Sequence, residues 1–181
     1  CIRDRVEAVA TTPLLGERAT EGGLAEALGK QGRWRSIHFA CHGLIDAQRP
    51  MLCALALTPD AGTDGRLSAL EILRMRLDAD LLVLSACETG KGKIYEAEGI
   101  VGLTRAFMYA GAPRVLCSLW KVDDEATRAL MVRFYELWNP AEGKGLPPAT
   151  ALREAQAYVR GKKAWAHPSY WAAWVLWGLP R

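Results

Sequence analysis

The stretch DLLVLSA, Asp80–Ala86, decides the fold. It is apolar without alternation, the pattern of a parallel strand covered on both faces rather than of an antiparallel strand with one wet face. Upstream, SIHFA (Ser36–Ala40) reads as a shorter strand that stops at His42-Gly43. Downstream, RVLCSLW (Arg114–Trp120) reads as a second buried strand. Between them, Ala97–Ala110 carries Ile100, Leu103, Phe107 and Met108 at helical spacing and ends at Gly111-Ala-Pro113. Asp123 or Asp124 caps a helix reaching Trp138, with Ala126, Leu130, Phe134 and Leu137 on one stripe.

The rest of the chain continues the alternation. Gly22–Gln31 is a weak helix between glycines, Leu52–Leu57 is a further strand candidate, and Pro59–Gly65 is a turn cluster. Leu67–Met75 places Leu70 and Leu73 at helical spacing behind a Ser68 cap. Glu88–Tyr95 is a loop rich in glycine and lysine, Pro147–Arg160 is a helix opened by proline, and Tyr170–Trp177 is an aromatic-rich last strand. Strands separated by helices predict an α/β fold, a three-layer sandwich with a mostly parallel central sheet.

Composition narrows the function. The 181 residues suffice for one domain with a real core. A net charge of +3, from 23 basic and 20 acidic residues, gives no support to nucleic-acid binding by a basic surface. No apolar run approaches the roughly 18 residues a membrane span needs. The five cysteines (Cys1, Cys41, Cys53, Cys87, Cys117) are odd in number, mostly inside apolar runs, and form no CxxC pair. They read as reduced thiols of a cytoplasmic protein, without a disulfide framework or a zinc site. The chain starts at Cys1 without a methionine, which reads as a processed product or as the C-terminal part of a longer protein.

Ligands of open parallel sheets bind beyond the carboxyl ends of the strands. Two reactive residues follow such ends: His42 after the first strand and Cys87 after Asp80–Ala86. A cysteine nucleophile needs a thiolate, and a neighbouring imidazole can supply it or act as general acid for the leaving amine. Acyl transfer also needs hydrogen-bond donors for the developing oxyanion. The backbone N–H groups of Gly43 and Cys87 are candidates for that role. The other histidines and cysteines have structural readings: His38 as a buried, hydrogen-bonded core residue, His167 before Pro168 as structural, and Cys41, Cys53 and Cys117 as core. His38 and His42 are four apart, but a strand and a turn do not give them the shared helix face of a metal site, and no third ligand is evident.

These residues also carry a resemblance. HFACHG (His38–Gly43), LSACETG (Leu84–Gly90) and EGIVGLTRAFMYAGAPRVLCSLWKVDDEAT (Glu98–Thr127) closely resemble the CHAT domain, a caspase-like peptidase family related to separases and often fused to tetratricopeptide (TPR) repeats. FYELW (Phe134–Trp138) and HPSYWAAWVLWG (His167–Gly178) extend the likeness, and LLGERAT (Leu14–Thr20) resembles the family's upstream strand. The resemblance implies a caspase–hemoglobinase-like fold over a single domain, residues 1–181. It implies a Cys87–His42 dyad, an oxyanion hole from Gly43 and Cys87, and no cofactor. It further implies a protein substrate and control by a regulatory protein or TPR-type domain, as in bacterial signalling and defence proteases.

In caspase-like enzymes the residue after the tryptophan beyond the nucleophile helps to form the primary pocket. Here that stretch is SLWKVDD (Ser118–Asp124). Lys121 argues against an arginine-selective pocket, Asp123 or Asp124 would restore one, and Glu88 is either a loop residue or a pocket residue. A second reading, a scaffold or sensor domain with an idle dyad, rests on the tryptophans Trp165, Trp171, Trp174 and Trp177, which would then form a docking surface unless they are core.

Overall fold

The computed structural model of the chain describes residues 12–30, 32–46, 48–85, 96–140 and 143–179. In chain order, α1 (Glu21–Gly29) leads to β1 (Trp34–Phe39), the short strands β2 (Gly43–Leu44), β3 (Ala54–Ala56) and β4 (Arg66–Ser68), and one turn of helix, α2 (Ala69–Ile72). Then follow β5 (Ala79–Leu84), α3 (Glu96–Tyr109), β6 (Arg114–Ser118), α4 (Asp124–Trp138), α5 (Pro148–Arg160) and β7 (Trp174–Gly178).

The main sheet has the order β1-β5-β6-β7. β1, β5 and β6 are parallel and β7 is antiparallel to β6, so the expected α/β architecture with a mostly parallel sheet is present. The missing alternation in Asp80–Ala86 has a direct cause. Leu82 and Leu84 enter one core with Leu103 and Phe107 of α3, while Leu81 and Val83 enter another with Leu130 and Phe134 of α4 and Ala155 of α5. Both faces of β5 are therefore covered by helices.

Local chemistry sets the helix starts. Thr20 Oγ1 accepts the Gly23 N–H at 2.9 Å ahead of α1. Ser68 and Glu71 form a reciprocal capping box on α2, which lets a helix of only four residues persist. The prolines Pro147 and Pro148 open α5, where a missing N–H costs no hydrogen bond.

Several expectations need correction. The strand within Leu52–Leu57 is confined to Ala54–Ala56, because Pro50–Leu52 folds into a 3-10 turn, and it joins β2 and β4 in a separate antiparallel sheet. Leu14–Thr20 contains a 3-10 turn at Gly16–Arg18, entered through Gly16 at φ 55°, instead of a strand. The last strand begins at Trp174, since Pro168–Tyr170 makes another 3-10 turn. On α2 the buried side chains are Ala69 and Ile72, and Leu70 is exposed. The expected Glu88–Tyr95 loop lies outside the described residues.

At the amino end of the parallel strands, charged groups meet on Asp80. Arg33 reaches its Oδ1 through Nε at 2.9 Å and Nη2 at 2.6 Å, and Arg35 reaches Oδ2 at 3.0 Å. Arg114 donates to the Asp80 carbonyl at 3.3 Å and to the Leu179 carbonyl at 2.9 Å. No helix among the described residues is long and apolar enough to cross a membrane.

Candidate active site

β1 and β5 run parallel with Phe39 opposite Leu84, and the Ser85 N–H donates to the Phe39 carbonyl at 2.9 Å. The two strands thus end together on one edge of the sheet. His42 stands three positions after Phe39 and is exposed at that edge. Cys87 stands three positions after Leu84 in the sequence; with Glu88 it lies outside the described residues.

Gly43 begins β2, and its neighbour relations follow from one hydrogen bond. The His42 carbonyl accepts the Ala56 N–H at 2.8 Å, so Gly43 and Leu55 form the non-hydrogen-bonded pair of the β2–β3 ladder. In a trans peptide the C=O and the following N–H point in opposite directions. The His42–Gly43 bond is trans, so the Gly43 N–H points away from β3 and takes no part in that ladder. β2 is also the outer strand of its sheet. A donor directed out of a ladder at the carboxyl edge of a parallel sheet is chemically suited to an oxyanion.

Gly43 lies against the end of β5. Gly43, Ile45, Leu84, Ile100 and Ser118 line one cavity of about 10 Å³, room for a single water molecule. That volume makes it a packing seam rather than a substrate pocket. A groove of about 500 Å³ lies instead along α4, between Ala129, Val132, Tyr158 and Trp165.

The three described candidates for the primary pocket lie between β6 and the first residue of α4. Lys121, Asp123 and Asp124 are all exposed. Asp123 is committed locally: its Oδ1 accepts the Glu125 N–H at 3.1 Å and the Ala126 N–H at 3.0 Å, which caps α4. Asp124 is the first residue of that helix. Trp120, exposed just before Lys121, is held by its indole N–H on the Ser169 carbonyl at 3.1 Å. The length of the Ser169 approach to β7 gave no sequence signal for this tie.

The remaining histidines and thiols among the described residues have structural surroundings, and Cys1 lies outside those residues. Nδ1 of His38 lies 3.1 Å from the Tyr135 hydroxyl, and burial pushes the His38 imidazole down to about 4. Burial also raises the Tyr135 phenol above its ordinary value. His167 holds Ser169 through Nδ1 at 2.9 Å and caps a 3-10 turn. Cys53 and Cys117 are buried, while Cys41 is partly buried and its thiol is pushed up to about 11 by that burial. Of the C-terminal tryptophans, Trp174 is core, Trp165 and Trp171 pack against the core, and Trp177 is partly exposed.

Sequence reasoning did not foresee how tightly α3 approaches this edge. A Cβ on Gly99 would lie 2.5 Å from Ile45 Cγ2 and 3.0 Å from Cys53 Sγ. Only the glycine itself could have signalled it, since Ile45 and Cys53 read as ordinary apolar residues.

Two curated relatives align with this chain over 113 residues. Tetratricopeptide repeat protein 28 of Mus musculus is 41% identical and that of Homo sapiens 40% identical, over 62% of this chain. The chain spans only 4% of the length of each. The family model described as CHAT domain matches residues 2–179, nearly the whole sequence, and the chain belongs to the CHAT domain family.

Proposed function

We propose that this chain is a cysteine endopeptidase of the caspase-like kind, with Cys87 as nucleophile and His42 as its acid–base partner. The observation that carries the reading is the register of β1 and β5. With Phe39 opposite Leu84, β1 and β5 end at the same edge of the sheet, and in the sequence His42 and Cys87 each follow three positions after these residues. The outward Gly43 N–H supports an oxyanion role for it beside the Cys87 N–H.

In this reaction the Cys87 thiolate attacks the scissile carbonyl and forms a tetrahedral oxyanion. The C–N bond then breaks, the imidazolium of His42 gives its proton to the departing amine, and a thioester remains. Water, deprotonated by the now neutral His42, attacks the thioester. The carboxylic acid product leaves and the thiolate is regenerated. Lys121 and Asp124, free of the capping role that holds Asp123, are with Glu88 the proposed selectors of the substrate residue before the cleaved bond. A TPR-type protein or segment is the proposed regulatory partner, on the strength of the relatives' names.

The test is cleavage of a protein substrate, such as denatured casein, by the wild-type chain and by Cys87→Ala and His42→Ala. Both variants should fold and lose cleavage. Undiminished cleavage by Cys87→Ala would sink the proposal. The second reading, a protein-binding domain with an idle dyad, rests on the same relatives, whose printed names specify tetratricopeptide repeats. It predicts that a thiol-directed probe labels Cys87 no faster than an unfolded cysteine.

A further inference from the structure

The segment that carries His42 and Gly43 is gripped from two sides after it leaves the edge of the sheet. On one side is α3. The helix comes so close that the hydrogen of Gly99 faces Ile45, and a Cβ there would stand 2.5 Å from Ile45 Cγ2 and 3.1 Å from its Cδ1. Ile45 Cγ2 sits on a β-branched carbon, one bond from the backbone and restricted at χ1, so it yields less readily than a flexible chain end. On the other side is Cys53, fully buried at the entry to β3. Its Sγ accepts the Asp46 N–H at 3.4 Å and donates to the Asp46 carbonyl at 3.6 Å. The same Sγ would meet the added Cβ at 3.0 Å. Gly99, Ile45 and Cys53 therefore form one interlocked contact, two residues beyond Gly43 along the chain. One turn further along α3, Gly102 is looser: its nearest neighbours, in Pro50, would stand at 3.6 and 3.7 Å from a Cβ.

We propose that this interlock is a positioning device, in which Gly99 of α3 seats Ile45 against Cys53 and so sets the direction of the Gly43 N–H and of the His42 arm at the sheet edge. The functional part of the inference rests on the reading of His42 and Gly43 as working groups. Gly99, Ile45 and Cys53 are positioning residues in this proposal, because they act on Gly43 and His42 through the backbone of Leu44. A side chain at position 99 forces Ile45 to move, and Ile45 is joined to Gly43 through Leu44 alone. Small displacements of an acid–base group or an oxyanion donor lower the rate of the chemical step far more than they lower binding.

The experiment compares Gly99→Ala, Gly102→Ala and the double variant Gly99→Ala/Ile45→Ala in the full chain. Its first readout needs no activity: the backbone amide signal of Gly43, the ring signals of His42, and hydrogen exchange at the Leu44 amide, all by NMR. Gly99→Ala should shift the first two and speed the third, Gly102→Ala should leave all three close to wild type, and the added Ile45→Ala should return them towards wild type. Unmoved Gly43 and His42 signals in a folded Gly99→Ala protein would overturn the interlock, as would equal shifts in Gly102→Ala. If Gly99→Ala does not fold, Cys53→Ala carries the same prediction, because it releases Asp46 by opening space rather than filling it. The second readout is cleavage of casein. Gly99→Ala should lower kcat about tenfold or more, with KM changed by less than about twofold, and Ile45→Ala should restore part of the loss. Absence of Cys87-dependent cleavage in the wild type would sink the peptidase reading and leave the NMR comparison to decide the interlock.

Discussion

The hydroxyl of Tyr135 on α4 lies 3.1 Å from Nδ1 of His38 on β1, and the two rings stack with centroids 5.9 Å apart. The contact ties the edge strand of the sheet to the helix layer. It also buries an imidazole whose Nε2 has no hydrogen-bond partner among the described residues.

A pH dependence of stability follows. Burial pushes His38 down to about 4, whereas the unfolded chain protonates it near its ordinary value of 6.5. Between those two values the unfolded state binds more protons, so stability falls as the pH drops through that window. Above the ordinary value the residue contributes no pH dependence. Below about pH 4 the full penalty is on the order of 3 kcal/mol. His38→Gln should flatten this part of the profile in urea titrations at several pH values. An unchanged acid slope in that variant would show that other groups cause it.

Asp123 can be separated into a cap and a charge. Asp123→Ala should cost about 1 kcal/mol, because two N–H groups at the start of α4 lose their acceptor. Asp123→Asn should keep most of that stability. With its carboxylate committed to the cap, Asp123→Asn should alter the preference among cleaved peptides less than Lys121→Ala or Asp124→Ala does. Denaturant midpoints and cleavage-site mapping measure the two effects separately.

Thiol reactivity should follow burial. Cys53 and Cys117 are almost fully buried, and Cys117 Sγ sits 3.9 Å from Thr104 Oγ1. Near neutral pH, iodoacetamide should leave both unmodified in the native protein. It should modify Cys41 slowly, since burial pushes that thiol up to about 11 and leaves little thiolate. Mass-spectrometric mapping of native and urea-unfolded samples checks this. Equal rates for Cys53 or Cys117 in the two samples would contradict the packing.

The aromatic centre of the α4 layer should be costly to hollow out. Phe134 is fully buried, edge-on to Tyr135 at 5.4 Å and stacked on Trp138 at 5.8 Å. Phe134→Ala should lose about 3–5 kcal/mol, read as a lowered denaturation midpoint, and the loss should extend to the His38–Tyr135 contact.

Much of the architecture was legible because burial on both faces leaves a mark that local competition does not erase. Asp80–Ala86 and Arg114–Trp120 read as buried strands, and the caps at Ser68 and at Asp123 or Asp124 read as helix starts, because each signal is local and chemically strong. The small sheet was only half legible. Gly43–Leu44 is too short for a periodic pattern, and Pro50 bends the approach to β3 into a turn that the apolar composition of Leu52–Leu57 conceals. At the site, the common carboxyl edge of β1 and β5 followed from the topology rule for parallel sheets, and Cys87 itself lies outside the described residues. The Gly99–Ile45 contact did not, because it joins residues 54 positions apart through nothing but the absence of a side chain.

The charged cluster on Asp80 has a consequence for how this molecule can vary. Arg33 stands just before β1 and Arg35 within it, Asp80 belongs to β5, and Arg114 at the start of β6 reaches both the Asp80 carbonyl and the carbonyl of Leu179 just past β7. All four strands are thus stitched together at the end remote from His42. Their spacing and register are anchored there, so the loops at the opposite edge can exchange residues, lengthen or change charge without re-threading the sheet beneath them. The scaffold keeps its order at one end and leaves its chemistry editable at the other.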